Sequence, residues 1–367
     1  MEPLGLFFTA PPGLEPLLAD EARAAGFGAV RALPGGVEAT GGWPEVWRAH
    51  LELRGAGRVL VRIAEFRAMH PAQLDKRSRK LDWASLIPPG TRVAVSATCS
   101  KSRIYHAGAA ADRVSKAVAD GAGAVIDKTA ALRVMVRIED DLCTLSLDCS
   151  GEALHKRGHK VAVGKAPLRE TMAALFLRAM GFDGTQTVAD PMCGSGTLPI
   201  EAAEIAAGLR PGRTRSFAFE HLHGFDADHW ASLRAAPPVP VSDSLHHGSD
   251  RDDGAVRNAT ANAQRSGVAD RAAFGRAAIS AFLPPTAAPG IVLVNPPYGG
   301  RIGNRKMLFG LYGSLGQVLA DHFAGWRVGV ITSDDGLAKA TRLPFSAPGP
   351  HVAHGGMKVR LWQTPPL

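Results

Sequence analysis

From about residue 167 to the end of the chain, helical patterns alternate with short apolar runs. Three of these runs are Thr187–Ala189, Ile291–Val294 and Arg327–Thr332, and stretches with helical spacing of apolar residues separate them. This alternation predicts a doubly wound parallel β-sheet with helices on both faces. We therefore expect an α/β fold in which a second domain starts near Pro167 and binds ligands at the carboxyl ends of its strands.

A glycine-rich loop lies between one predicted strand and the helical pattern that starts at Thr197. Its sequence is Asp-Pro-Met-Cys-Gly-Ser-Gly over residues 190–196. Glycines let the backbone approach a ligand closely, and the unpaired N–H groups of the following helix favour a carboxylate such as that of S-adenosylmethionine. The loop lacks the Lys and Ser/Thr of a Walker sequence and is one glycine short of a dinucleotide fingerprint. The residues predicted to contact the cofactor here are Asp190, Pro191, Cys193, Gly194 and Gly196.

A second acid, Asp250, stands at the end of another short predicted strand. We interpret it as the ligand of both ribose hydroxyls of S-adenosylmethionine. The alternative is that Asp250 caps the helix that follows, and the two roles are compatible.

The buried strand Ile291–Val294 runs directly into Asn295-Pro296-Pro297-Tyr298. An amine on an aromatic ring is a poor nucleophile, so it must be held with its lone pair aimed at the methyl carbon. The Asn295 side-chain oxygen and the Pro296 carbonyl can each accept one N–H, Pro297 stiffens the turn, and Tyr298 can stack on a flipped base. The tetrapeptide predicts methylation of an exocyclic base amine; the alternative is a proline-stiffened turn with an incidental tyrosine.

Positive charge is concentrated in the first half of the chain. Between Arg54 and Arg103 there are eleven Lys/Arg and three Asp/Glu, a local net charge of +8 that equals the formal charge of the whole chain. Such an excess attracts polyphosphate; the alternative is a solvated basic face without function. The predicted RNA-contacting residues are Lys76, Arg77, Arg79, Lys80, Lys101 and Arg103, with Lys156 and Arg157 from a basic linker that could equally be only an exposed linker.

Two further classes of site are not indicated. The longest apolar runs fall far short of the roughly 20 residues of a membrane helix, and the N-terminus lacks a basic segment before an apolar run. The four cysteines show no paired CxxC spacing. We expect a cytoplasmic protein without a metal site, and the oligomeric state is not readable from sequence.

Several of these stretches resemble a known family. Residues 166–174, 190–196 and 295–298 are similar to class I methyltransferases that make N2-methylguanosine in RNA, and residues 82–95 and 100–106 resemble the THUMP region of one group of them. The resemblance is to the N-terminal half of the bacterial 23S rRNA guanine-N2 methyltransferases. It implies a ferredoxin-like region over residues 1–55, a THUMP RNA-binding domain over 56–160 and a Rossmann-like methyltransferase domain over 161–367, with guanine N2 of 23S rRNA as the target.

One position departs from that family. An acid that binds the adenine amine commonly follows the third strand, whereas this chain has Arg276-Ala-Ala-Ile-Ser280 there, with Ala278 unable to make the bond. We expect Ser280 or the backbone to hold the adenine instead. The alternatives left open are a tRNA guanine-N2 methyltransferase, an N6-adenine DNA methyltransferase that uses the same tetrapeptide, and a non-catalytic RNA-binding protein with a relict cofactor pocket.

Overall fold

The computed structural model describes residues 3–161, 168–299 and 305–367. Residues 166 and 167 of the family-like stretch, and the end of the basic linker, lie outside the described residues. The chain divides into two compact units, each assembled from separated segments. Unit 1 comprises Met1–Ala10, Ala19–Leu154 and Thr214–Ala236, and unit 2 comprises Pro11–Leu18, His155–Arg213 and Pro237–Leu367.

The elements of the first half of the chain belong to unit 1, apart from the start of α1. In chain order they are β1 (Leu4–Thr9), α1 (Glu15–Ala24), β2 (Gly28–Leu33), β3 (Gly36–Gly41), α2 (Trp43–Glu52), β4 (Val59–Arg67), α3 (Pro71–Ser78), β5 (Arg92–Ser100), α4 (Ala107–Ala122), β6 (Val125–Ile126), β7 (Leu132–Glu139) and β8 (Leu142–Asp148).

One continuous sheet runs through unit 1 in the order β2-β3-β1-β4-β8-β7-β5-β6. Its pairings are antiparallel except where β5 pairs with β7 and β6. Strand β7 shows why the sheet forms: Leu132, Val134, Val136 and Ile138 are buried and alternate with more exposed residues, the period-two pattern of a strand with one covered face. The predicted ferredoxin-like and THUMP regions are joined by the β1–β4 ladder.

Residues 214–236, which the sequence pattern assigns to the methyltransferase domain, pack in unit 1. They contain a 3₁₀ helix, Ala218–His221, and a short α-helix, Ala227–Ala235. The rings of Phe217 and Phe219 stack at 5.4 Å, and Trp230 packs edge-on to Phe219 at 5.1 Å. Trp47 of α2 lies 6.3 Å from Phe219, so this segment completes the aromatic core of unit 1.

Most of the remaining elements form unit 2. The short helix Ala227–Ala235 of unit 1 is α7 in chain order. The helices and strands of unit 2 are α5 (Glu170–Ala179), β9 (Val188–Asp190), α6 (Thr197–Ala206), β10 (His246–Asp250), α8 (Asp253–Ser266), β11 (Ala272–Arg276), β12 (Ile291–Val294), α9 (Arg305–His322), β13 (Arg327–Thr332), α10 (Asp335–Ala340), β14 (Val352–His354) and β15 (Met357–Gln363).

The sheet of unit 2 has the order β11-β10-β9-β12-β13-β15-β14, which confirms the predicted doubly wound fold. Its first five strands are parallel, and β15 runs antiparallel to both of its neighbours. From β9 the chain proceeds to β10 on one side, whereas β12 lies on the other. This reversal opens a crevice at the carboxyl ends of β9 and β12, where open α/β sheets bind ligands. No helix of the described ranges is long and apolar enough to cross a membrane.

Candidate functional site

A cavity of about 360 Å³ lies at the carboxyl ends of β9, β10 and β12 in unit 2. Its walls are formed by Leu168, Asp190, Pro191, Met192, Cys193, Gly194, Ser195, Thr197, Leu198, Asp250, Arg251, Ala277, Ala278, Ile279, Asn295, Pro296, Pro297, Tyr298 and Leu311. The fold thus brings the predicted catalytic tetrapeptide, the glycine-rich loop and Asp250 to one place. The start of the loop and the end of the tetrapeptide are more than 100 residues apart in sequence.

The two glycines of the loop have different reasons to be glycine. Gly194 and Gly196 both have positive φ, at 54° and 82°. A Cβ on Gly196 would approach Ala259 and Phe274 to 3.0 Å, so this position is closed to side chains by packing as well as by backbone conformation. Gly196 does not line the cavity but begins α6, whereas Gly194 is part of the wall.

Backbone hydrogen bonds hold the loop in shape. The N–H of Cys193 donates to the Ser249 carbonyl at 2.9 Å, and that of Gly196 donates to the Cys193 carbonyl at 2.8 Å. Within the described residues, the N–H groups of Ser195 and Thr197 have no acceptor, and both residues line the cavity. Unpaired N–H groups at the start of a helix are suited to a carboxylate. Burial raises the pKa of the Cys193 thiol, which is therefore neutral.

Two acids face the cavity in different environments. Asp190 is 2% exposed, and its Oδ1 accepts from the Met192 N–H at 3.0 Å. Burial, with the nearby Asp250 carboxylate, raises the pKa of Asp190 to about 8. Asp250 is half-buried and accepts from the N–H groups of Gly194 at 3.1 Å and Asp252 at 3.0 Å. The cap of α8 is Asp252, which leaves Asp250 available to a ligand.

Two polar atoms of the predicted catalytic tetrapeptide are buried without a partner among the described residues. Neither Asn295 Oδ1 nor the Tyr298 hydroxyl has a hydrogen-bond partner among the described residues. Burial raises the pKa of Tyr298 to about 12, so its phenol is neutral. An unsatisfied buried acceptor costs about 1–3 kcal/mol, and a donor supplied by a ligand would remove that cost. Both residues line the cavity that also contains Asp250.

The structure does not bring Ser280 into this site. Ser280 is exposed on the 3₁₀ helix Ile279–Ala281, whereas its neighbours Ala277, Ala278 and Ile279 form the wall. Sequence reasoning also missed Arg251 and Leu311, which line the cavity. The position of Arg251 could have been predicted from sequence, because it directly follows Asp250, the predicted ribose ligand. Leu311 belongs to α9, and no local sequence feature indicates that it lines the cavity.

The basic residues predicted to contact RNA differ in availability. Lys76, Lys80, Lys101 and Arg103 are exposed, and none of their side chains pairs with an acid within the described part of the chain. Arg77 is exposed, and its guanidinium donates to the Arg67 carbonyl and lies 5.8 Å from the Phe66 ring.

Arg79 is different because acids neutralise it. It is exposed but pairs with Asp120 at 2.6 Å and Asp75 at 3.2 Å. Its positive charge is therefore largely balanced before any RNA approaches.

The prediction that Arg157 contacts RNA is wrong. Its side chain is buried in unit 2 and pairs with Glu201 and, at 3.3 Å, with Glu204. Burial opposes its charge, but the two carboxylates more than compensate and raise its pKa. A guanidinium enclosed with two carboxylates has no free face for phosphate. Its neighbour Lys156 is exposed.

Three family models match the chain. The model described as an RMKL-like methyltransferase domain matches residues 157–349, an RlmL ferredoxin-like domain matches 5–60, and a THUMP domain matches 71–148. The last two matches together cover most of the strands of the unit 1 sheet.

Curated relatives have similar sequences over most of the chain. The ribosomal RNA large subunit methyltransferase K/L of Syntrophotalea carbinolica is 37% identical over 92% of this chain and 50% of its own length. "Putative RNA methyltransferase slr0064" of Synechocystis is 31% identical over 97% of this chain and 95% of its own length. The chain therefore spans about half the length of the K/L relatives it matches.

A solved structure supports the same comparison. SMU.472, whose structure was determined in complex with SAH, has 25% sequence identity and a TM-score of 0.89, and the match covers 100% of this chain and 99% of that one.

Among the described residues, no cluster of three His, Cys, Asp or Glu is arranged to hold a metal ion.

Proposed function

Because the chain belongs to the RMKL-like methyltransferase family, we propose that it transfers the methyl group of S-adenosylmethionine to an exocyclic amine of structured RNA, guanine N2 of 23S rRNA. The observation that carries the proposal is Asn295 Oδ1, a buried acceptor without a partner in the cavity that also contains the cofactor loop. A base amine is the donor that this acceptor fits.

The cofactor end of the cavity fits S-adenosylmethionine. The open N–H groups of Ser195 and Thr197 suit its carboxylate, and Asp250 suits its ribose hydroxyls. SMU.472, solved with SAH, supports this choice of cofactor. Ala278 lies in the wall, so the adenine amine has no acid there, and a backbone carbonyl of the wall is the acceptor left for it.

The residues of the tetrapeptide hold the acceptor nitrogen. Asn295 Oδ1 and the Pro296 carbonyl each accept one N–H of the guanine amine, which directs its lone pair toward the methyl carbon. S-adenosylmethionine bound in the cavity would supply that methyl group and would leave as neutral S-adenosylhomocysteine, and the methylated nitrogen would release one proton to water. The neutral Tyr298 ring forms the apolar wall for the base.

An exposed basic surface on unit 1 is proposed to bind the RNA. Arg77 donates to the Arg67 carbonyl, Arg67 donates to the Asp140 carbonyl at 3.2 Å, and the Arg103 N–H donates to Asp141 at 2.7 Å. These bonds connect α3 and the segment after β5 at one end of the sheet.

Tyr105 adds an aromatic group to this end of the sheet. Its side chain is 83% exposed, close in sequence to Lys101 and Arg103. A basic surface with an exposed aromatic ring can hold phosphates and stack on an unpaired base. The match to a THUMP domain supports this role for unit 1.

The names of the K/L relatives support rRNA over tRNA as the substrate. The proposal includes a cytoplasmic site of action, where rRNA is available.

The test is methyl transfer to 23S rRNA purified from a strain that lacks the gene. The expected product is N2-methylguanosine, detected by nucleoside mass spectrometry and mapped to one nucleotide. Asn295→Ala should give no product, and Asn258→Ala, which alters an exposed Asn of α8, should act as wild type. N6-methyladenosine in duplex DNA, methylated guanosine in tRNA alone, or no methylated nucleoside would each overturn the proposal.

A further inference from the structure

Asn262 is a buried polar residue of unit 2 that the cavity does not contain. It lies on α8, and its side chain is 0% exposed. Its Nδ2 donates to the Ser195 carbonyl at 2.9 Å. Ser195 stands between Gly194 and Gly196 and lines the cavity, so a residue of α8 contacts the cofactor loop from behind.

A second hydrogen bond sets the orientation of the Asn262 amide. Arg265, one turn further along α8, donates from Nη2 to Asn262 Oδ1 and from Nε to the His159 carbonyl at 2.8 Å. Because Oδ1 accepts from a guanidinium, Nδ2 must be the atom that faces Ser195. The amide is thus fixed at both ends, and an amide with both groups satisfied can be buried at little cost.

The bond from Asn262 controls the direction of one peptide group. The Ser195 carbonyl and the Gly196 N–H belong to the same peptide plane, and the Gly196 N–H donates to the Cys193 carbonyl at 2.8 Å. Both ends of this plane are therefore held by protein atoms. Gly194 and Gly196, which flank Ser195, could otherwise adopt many backbone conformations, because they have no Cβ. The N–H groups of Ser195 and Thr197 belong to the two neighbouring peptide planes, so fixing this plane also restrains them beside the cavity that both residues line.

We infer that Asn262 is a positioning residue that orients the carboxylate-binding N–H groups of the cofactor loop through the Ser195 carbonyl. The inference rests on the proposed function for its ligand, S-adenosylmethionine. Donors that are already oriented bind without the cost of ordering the loop. Asn262 therefore acts on cofactor affinity and leaves the methyl-transfer step and RNA binding unchanged.

The test compares three variants by calorimetric titration with S-adenosylhomocysteine and by steady-state kinetics. Asn262→Ala should raise the Kd for S-adenosylhomocysteine and the KM for S-adenosylmethionine about tenfold, the effect of one buried hydrogen bond. The kcat at saturating cofactor and the KM for RNA should stay at wild-type values. Asn258→Ala, on the exposed face of the same helix, should leave all four constants unchanged.

Asn262→Asp separates positioning from a merely structural role. The variant keeps an oxygen for Arg265 but replaces the donor that faces the Ser195 carbonyl. It should retain the wild-type thermal midpoint within a few degrees and still bind S-adenosylhomocysteine about tenfold more weakly. Hydrogen exchange at the amides of residues 193–197 should be faster than in wild type.

Wild-type cofactor affinity in both Asn262→Ala and Asn262→Asp, or a loss confined to kcat, would overturn the inference. If Asn262→Ala does not fold, Asn262→Asp alone decides. A wild-type protein that binds S-adenosylhomocysteine but methylates no RNA would overturn the proposed function, and the same titration of the variants would still test Asn262. No binding by wild type would overturn both.

Discussion

The carboxylate of Asp250 accepts a hydrogen bond from the backbone N–H of Gly194 at 3.1 Å. Asp250 ends β10, and Gly194 belongs to the loop after β9, so the two segments predicted to hold opposite ends of the cofactor are tied together. We therefore expect cofactor affinity to depend on this pair in two ways, through the proposed contact of Asp250 with the ribose and through the shape that Asp250 gives the loop.

Asp250→Ala should weaken S-adenosylhomocysteine binding by at least tenfold, because it removes the ribose acceptor and frees the Gly194 N–H. Calorimetric titration measures the loss. Asp253→Ala, which changes an exposed acid in the first turn of α8, is the matched control and should bind as wild type. Equal affinity of wild type and Asp250→Ala would remove Asp250 from the site.

Asn295→Ala should lower single-turnover methyl transfer at least a hundredfold while leaving the Kd values for S-adenosylhomocysteine and RNA within about twofold of wild type. In the proposed function Asn295 contacts only the target amine, and loss of an interaction made during the reacting step lowers kcat. Rapid-quench assays with saturating enzyme measure the rate. Substantial turnover by this variant would contradict the role given to Asn295 Oδ1.

Cofactor binding should depend on pH through Asp190. Its pKa of about 8 means that the carboxyl is mostly protonated below pH 8 in the unliganded protein. The α-ammonium of the cofactor, next to the carboxylate that the loop holds, favours the ionised form, so binding at pH 7 should release a proton. Affinity should rise with pH up to about 8 and then level off.

Calorimetry at pH 7 in buffers with different ionisation enthalpies measures the proton released. Asp190→Asn should abolish both the release and the rise in affinity between pH 6 and 8. Proton uptake by wild type would reverse the sign and contradict the role of Asp190.

The triple variant Lys76→Glu, Lys80→Glu, Lys101→Glu should weaken RNA binding strongly and flatten its salt dependence. Each lost phosphate contact lowers the log–log salt slope by roughly 0.7–0.9. Binding titrations at several salt concentrations measure both quantities, and S-adenosylhomocysteine binding should not change. Arg79→Gln is the internal control with a small expected effect, because Arg79 is already paired with two acids. An unaltered salt slope in the triple variant would mean that RNA binds to a different surface.

Phe219→Ala should destabilise unit 1 by about 3–5 kcal/mol, because it opens a cavity among packed aromatic rings. Phe219 is fully buried and contacts Trp47, Phe217 and Trp230. Chemical denaturation followed by tryptophan fluorescence measures the loss. Val239→Ala, at an exposed position, should change the free energy of unfolding by less than about 0.5 kcal/mol. A similarly small change for Phe219→Ala would mean that residues 214–236 are not part of this core.

The features that sequence predicted are those with a local physical signature. A buried apolar run followed by Asn295 and two prolines predicts a strand and the turn after it, and glycines before a helical pattern predict a ligand-binding loop. Parallel strand ends meet at one edge of a doubly wound sheet, so these local features converge once the fold class is known. The same rule predicted that Asp250 lies at this edge of the sheet. The structure shows that the cap of α8 is Asp252 and not Asp250.

The tertiary structure alone decided which distant groups meet. Arg157 looks like any basic linker residue until Glu201 and Glu204 enclose it, and the aromatic residues of 214–236 have no local mark that assigns them to unit 1. Asn262 likewise has an ordinary helical setting in sequence. Charge, aromaticity and amide groups acquire a role from their partners, and burial with a partner tens of residues away leaves no periodic signal along the chain. The sequence by itself therefore determined the fold class and marked Asn295-Pro296-Pro297-Tyr298 as the predicted catalytic tetrapeptide, whereas packing determined which side chains lie around the cavity and which basic side chains stay exposed.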